Sequence, residues 1–213
     1  TVHEGHSAAN LSGVDLVIRS SAINENNPEV QAAIAAKIPV YKRSDILGEL
    51  MNDQKGIAVA GTHGKTTTTA MIATMLQKLE LDPSYIIGST AKNLGTNAHY
   101  GHGEFFVIEA DEYDRMFHGL SPTIGVITNL EHDHPDCYPT FTDYLQAFKE
   151  FTQRIIPGGS LFIYNDDPGN LKLLPFLTTE SILTYGKSVT SDYQVKNIVP
   201  NTSGGYSFDV HKS

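Results

Sequence analysis

A single cysteine, Cys137, is all this chain carries, so no disulfide can form within it and a reducing compartment is expected. Cations are scarce as well: 15 Lys and Arg stand against 24 Asp and Glu, a formal net charge of -9 at pH 7. Surfaces for nucleic acid or anionic membranes need clustered Lys and Arg, so the balance argues against both partner classes. It leaves nucleotide binding open, because that needs only a few local donors. No apolar run approaches the roughly 20 residues that span a bilayer. The opening residues show no charged segment followed by an apolar stretch, so no secretory signal is expected. Internal repeats and low-complexity segments are also missing. These absences together predict a soluble, cytoplasmic protein. What remains is ordinary for a folded chain: 213 residues, 40% hydrophobic and 18% charged, enough for one large domain or one domain and part of another.

The order of elements predicts an α/β protein. Asp15 to Ser20 reads as a short buried strand, and Asn27-Pro28-Glu29 supplies an N-cap, a first-turn proline and an early acid. A helix over Val30 to Lys37, a strand at Pro39 to Tyr41 and a helix from Ser44 to about Met51 follow. This βαβα pattern begins without a glycine-rich first strand and turn. Residues 1–53 are therefore expected to be the second half of a Rossmann-like domain. A second unit, residues 54–213, starts with the strand Ile57 to Ala60 and a helix from Thr66 to Leu79. The apolar runs at Tyr85 to Ile87, Phe105 to Ile108, Ile124 to Ile127 and Leu161 to Tyr164 suit a mostly parallel sheet covered on both faces. Phe141, Tyr144, Leu145, Phe148, Phe151 and Ile155 mark one face of a helix before the last of these. Tyr193 to Val199 and Tyr206 to Val210 flank Asn201 to Gly205 and predict a C-terminal antiparallel hairpin.

Between the strand at Ala60 and the next helix lies Gly61-Thr62-His63-Gly64-Lys65-Thr66-Thr67. Strand, glycine loop and helix N-terminus form a cradle for a polyphosphate, because backbone amides can approach its oxygens and the helix end adds partial positive charge. Lys65 would hold the β- and γ-phosphates of ATP, and the Thr66 hydroxyl would bind Mg²⁺. The spacing departs from G-x-x-x-x-G-K-[ST], since Val59 stands where its first glycine would be.

Two further clusters follow predicted strands, where ligands bind in open α/β sheets. Glu109-Ala110-Asp111-Glu112 places three carboxylates within four residues, which repel unless a cation sits among them; Mg²⁺ is the natural one. Asn129-Leu130-Glu131-His132-Asp133-His134-Pro135-Asp136 has the look of a metal cluster. On an extended loop, however, His132 and His134 would point apart, and His132 is the member least expected to serve a site. Lys149 lies on the predicted amphipathic helix at the border of its buried face.

Taken together, Gly61 to Thr69, Glu109 to Glu112 and Thr128-Asn129 leading to Asp133-His134-Pro135-Asp136 resemble the Mur ligase family. Within that family the likeness is to the branch that joins L-alanine to UDP-N-acetylmuramic acid. Ser20 to Ile23 with Asn27-Pro28-Glu29 is similar to the end of the family's UDP-binding domain. The resemblance implies an ATP-dependent ligase of peptidoglycan synthesis, in which the γ-phosphate passes to the sugar-linked carboxylate and the acyl phosphate is attacked by the amine. It implies that Lys65 stabilises the transferring phosphoryl group, that Thr66 and Glu109 hold one Mg²⁺, and that Glu109 with His134 holds a second. Ser20, Ser21, Asn129 and Lys149 are candidates on the substrate side, Lys149 as the carbamylated lysine that some relatives carry.

Two departures from the family pattern predict a fragment: the UDP domain lacks its glycine-rich opening, and no amino-acid-presenting domain follows Val210. The piece is expected to bind ATP without completing a ligation alone. A murein-peptide ligase acting on the same UDP-sugar is the alternative within the family. A non-catalytic ATP-binding module is the alternative outside it, against which Glu109 and His134 weigh.

Overall fold

A computed structural model describes residues 1–20, 22–51 and 53–213. The chain begins with a 3-10 turn at Ala8–Leu11, strand β1 (Val17–Arg19), helix α1 (Pro28–Ala35), β2 (Val40–Lys42) and α2 (Arg43–Met51). β1 and β2 pair in parallel as a separate two-stranded sheet. Asn27 caps α1 as its sequence predicts, its side chain accepting the N–H groups of Glu29 and Val30.

The larger sheet comprises β3 (Lys55–Ala60), β4 (Ser84–Ala91), β5 (Thr96–His99), β6 (Phe105–Glu109), β7 (Ile124–Ile127), β8 (Ser160–Tyr164), β9 (Ser181–Gly186), β10 (Tyr193–Pro200) and β11 (Tyr206–Lys212). Helix α3 (Lys65–Lys78) follows β3, α4 (Phe141–Thr152) precedes β8, and α5 (Pro168–Leu173) follows it. The strand order is β11-β10-β9-β8-β7-β3-β6-β4-β5. Only the outermost pairs, β4 with β5 and β10 with β11, are antiparallel; the six pairs between are parallel. The fold is thus the α/β one expected, a mostly parallel sheet ending in an antiparallel hairpin.

Aliphatic runs account for the parallel core. Ala58, Val59, Ala60, Val107, Ile108 and Ile127 have no more than traces of exposed surface, with helices on both sides of the sheet. On one face Tyr144, Phe148 and Phe151 of α4 pack with Phe117; on the other Ala73 and Leu76 of α3 meet Ile57, Val59 and Val107. Thr140 and Asp143 form a reciprocal capping box that starts α4.

Some element boundaries differ from the sequence reading. α4 ends at Thr152, so Ile155 is not on the helix, although it still packs into the core from the following turn. β5, β9 and α5 carry too little apolar periodicity to be read in advance. β5 is polar and mostly exposed at the sheet edge, and β9 is half-buried along most of its length.

Candidate phosphate and metal site

Three parallel strands end at one place. β3 runs into the glycine loop, β6 into Glu109 to Glu112, and β7 into Thr128 to Asp136, with β3 between the other two. Strand connections diverge to opposite sides here, which leaves a crevice at the C-terminal strand ends.

The loop is held from beneath by the β7 segment. Thr62 N–H donates to the Asn129 carbonyl (2.9 Å), and His63 N–H donates to Asn129 Oδ1 (2.8 Å). Asn129 Nδ2 and Thr128 Oγ1 both donate to the His63 carbonyl, at 3.3 and 2.7 Å. Gly61 lies at φ +131, and a Cβ there would come within 2.1 Å of Thr128 Oγ1, so only glycine allows this approach. Gly64 caps α3 with no side-chain hydrogen bond. The first amides of that helix, which have no intrahelical acceptor, therefore face outward for an anionic ligand.

The carboxylates of Glu109, Asp111 and Glu112 meet different protein partners. Glu109 accepts a hydrogen bond from Thr66 Oγ1 (3.0 Å) and one from Gly88 N–H (2.7 Å). Asp111 faces the Arg43 guanidinium at 3.5 Å, a contribution from α2. Glu112 is wholly buried, and Lys65 Nζ lies 3.0 Å from its Oε1 and 2.9 Å from its Oε2. Two of the three thus face protein cations, because successive residues after a strand point in different directions.

Glu112 is the hub that sequence reasoning grouped with its neighbours but did not single out. Its Oε1 also accepts from the Tyr144 hydroxyl (3.3 Å), which stands 3.0 Å from Thr62 Oγ1. Tyr138 donates its hydroxyl to the Glu112 carbonyl. Burial pushes the Glu112 carboxyl above its ordinary pKa, an effect opposed by the Lys65 charge beside it. Burial also pushes the hydroxyls of Tyr144 and Tyr138 well up, so both remain donors. A carboxylate in an apolar nest of tyrosines is not visible from spacing, since Tyr144 comes from 32 residues away.

His134 lies with Glu112 and Asp133: one ligand atom from each falls within 4.8 Å of the others, the only such metal-capable group of three among the described residues. Its Nε2 is 3.6 Å from Glu112 Oε1 and 3.8 Å from Asp133 Oδ2. His134 adopts a left-handed backbone (φ 53), costing on the order of 1–3 kcal/mol, as is found where function over-determines geometry. His132 turns away to the Tyr138 carbonyl (2.7 Å), as the alternation of an extended loop suggests.

The remaining candidates fall elsewhere. Ser20 follows β1 and is exposed, with no hydrogen bond to the phosphate loop; Ser21 lies outside the described residues. Asn129 is engaged with the loop backbone. Lys149 is half-buried on α4, and no hydrogen bond or ion pair joins its ammonium to Lys65, Glu109, Glu112 or His134.

Residues 59–213 match the Mur ligase middle domain, and residues 1–55 match the Mur ligase family catalytic domain. The chain belongs to the Mur ligase family. Among curated relatives it is 47% identical over 197 residues to a UDP-N-acetylmuramate–L-alanine ligase of Acidobacterium capsulatum, covering 92% of this chain and 43% of that protein. The corresponding ligase of Streptomyces coelicolor is 45% identical over 202 residues, covering 94% and 44%. The chain therefore spans less than half the length of these relatives. Among solved structures, a UDP-N-acetylmuramate:L-alanyl-gamma-D-glutamyl-meso-diaminopimelate ligase from Neisseria meningitides superposes with a TM-score of 0.86 at 26% identity, over 99% of this chain and 69% of that one. The UDP-N-acetylmuramate–alanine ligase of Thermotoga maritima gives 0.80 at 28% identity, over 98% and 46%. No helix among the described residues is long and apolar enough to cross a membrane.

Proposed function

We propose that this chain is the ATP-binding and phosphoryl-transfer part of a ligase that joins L-alanine to the carboxylate of UDP-N-acetylmuramic acid, a step of peptidoglycan precursor synthesis in the cytoplasm. Residues 54–213 would bind ATP, and residues 1–53 would contribute to the UDP-sugar side. The observation that carries the reading is the Thr66 hydroxyl 3.0 Å from Glu109 at the mouth of the phosphate loop. The naming of the curated relatives favours L-alanine over a murein peptide as the amine substrate.

A hydroxyl and a carboxylate side by side suit Mg²⁺, which takes hard oxygen ligands. Thr66 and Glu109 would hold it, with His134 contributing to a second ion; such ions neutralise charge on the phosphates. The chain's own residues do the rest. Amides of Gly64 to Thr67 receive phosphate oxygens, and His63 keeps the loop shape through its bonds to Asn129. Lys65 reaches the transferring phosphoryl group and stabilises the charge that spreads over its oxygens. Gly88 N–H fixes the orientation of Glu109. Asn129 acts through the loop, and Lys149 remains the candidate for a carbamate on the substrate side.

Calorimetric titration of Mg-ATP into the chain and its Lys65→Ala variant tests the reading. Binding to the parent that disappears in the variant is the expected result. A folded parent that takes up no Mg-ATP would overturn it.

A further inference from the structure

Lys65 cannot do its work where it stands. Its ammonium donates to the Gly61 carbonyl (2.7 Å) and the Thr62 carbonyl (3.2 Å), and it closes on both oxygens of Glu112. The side chain is only 14% exposed, and that of Glu112 is fully buried. To reach the phosphates the lysine must leave this carboxylate. A buried carboxylate stripped of its partner costs about 3–5 kcal/mol. A proton or another cation must offset that cost, and a divalent ion does so while leaving the carboxylate charged.

The residues for that exchange are already assembled. Glu112 Oε2 is buried and accepts no hydrogen bond; its contact with Lys65 Nζ at 2.9 Å is close but outside hydrogen-bond angles. Asp133 and His134 bring their ligand atoms within 4.8 Å of a Glu112 carboxylate oxygen, with His134 Nε2 3.6 Å from Oε1. Two carboxylates and an imidazole suit a divalent ion such as Mn²⁺ or Mg²⁺. Tyr144 holds the Glu112 side chain and Tyr138 its backbone carbonyl, so the carboxylate stays in place while its counter-ion changes.

We propose that Glu112 is a cation-exchange latch. It holds the Lys65 ammonium in the nucleotide-free protein and passes to a divalent ion, shared with Asp133 and His134, as the lysine moves to the phosphates. Glu112 is thus a positioning residue that acts through Lys65, and ion loading and lysine release are one coupled event. The inference rests on the proposed nucleotide site only for where the lysine goes. The exchange itself is a property of the nucleotide-free chain.

The test is a Mn²⁺ titration of that chain without nucleotide, followed by the paramagnetic relaxation of water. Lys65→Met removes the competing ammonium, so Mn²⁺ should bind about tenfold more tightly or better, because a like charge within ~4 Å has gone. Glu112→Gln in that background should abolish the gain. Unchanged or weaker Mn²⁺ binding in folded Lys65→Met overturns the latch. A second measurement needs no substitution: reductive methylation of lysines with and without saturating Mn²⁺, mapped by mass spectrometry. Labelling of Lys65 should rise severalfold on ion binding while that of exposed Lys92 stays constant; no rise overturns the proposal. Because neither measurement uses ATP, failure of Mg-ATP binding with intact exchange would strike the proposed function and leave the latch standing.

Discussion

Asn129 grips both backbone polar groups of His63, accepting the N–H at 2.8 Å and donating to the carbonyl at 3.3 Å. One side chain from the end of β7 thereby sets the curvature of the loop that follows β3. Asn129→Ala loses both bonds, together worth about 1–3 kcal/mol. Mg-ATP affinity should fall roughly tenfold or more by calorimetry, with a modest drop in melting temperature. An unchanged affinity would show that the loop holds its shape without this clamp.

Gly88 controls the other side of the site. A Cβ on residue 88 would stand 2.6 Å from Glu109 Oε2, where the Gly88 amide now donates. Gly88→Ala should push the carboxylate away from Thr66. The expected signature is a weaker response of nucleotide binding to Mg²⁺, with nucleotide binding in chelator little altered. Equal losses in both conditions would point instead to general damage of the sheet.

Acid stability should have a contribution from the far end of the sheet. Asp192 accepts the N–H and hydroxyl of Thr184, both at 2.7 Å, and these bonds hold its pKa below the ordinary carboxylate value. A depressed folded-state pKa stabilises fully above the unfolded value and is lost as pH falls through the folded one. Asp192→Asn should therefore lower the melting temperature at neutral pH and flatten its fall below about pH 4. A parallel downward shift at every pH would refute this role.

Phe148 tests the core that supports the Glu112 nest. It is fully buried against Phe117 and Tyr144, with ring centroids 5.2 and 4.9 Å away. Phe148→Ala should cost about 3–5 kcal/mol of unfolding free energy in urea titrations. A loss under about 1 kcal/mol would mean that the neighbouring rings collapse into the space.

The sequence by itself determined the glycine loop, the parallel strands and the hairpin. In each of these the deciding signal is local: glycines beside a lysine, an aliphatic run, or turn residues between two strands. It also named the residues at the three strand ends, because ligand sites gather there in open sheets. It did not assign partners to them. Glu109, Asp111 and Glu112 look alike in the chain, yet one meets Thr66, one meets Arg43 and one is buried against Lys65. Only the tertiary structure decided that division, because the direction of each side chain after β6, and the tyrosines that desolvate Glu112 from α4 and the β7 loop, depend on packing between segments far apart in sequence.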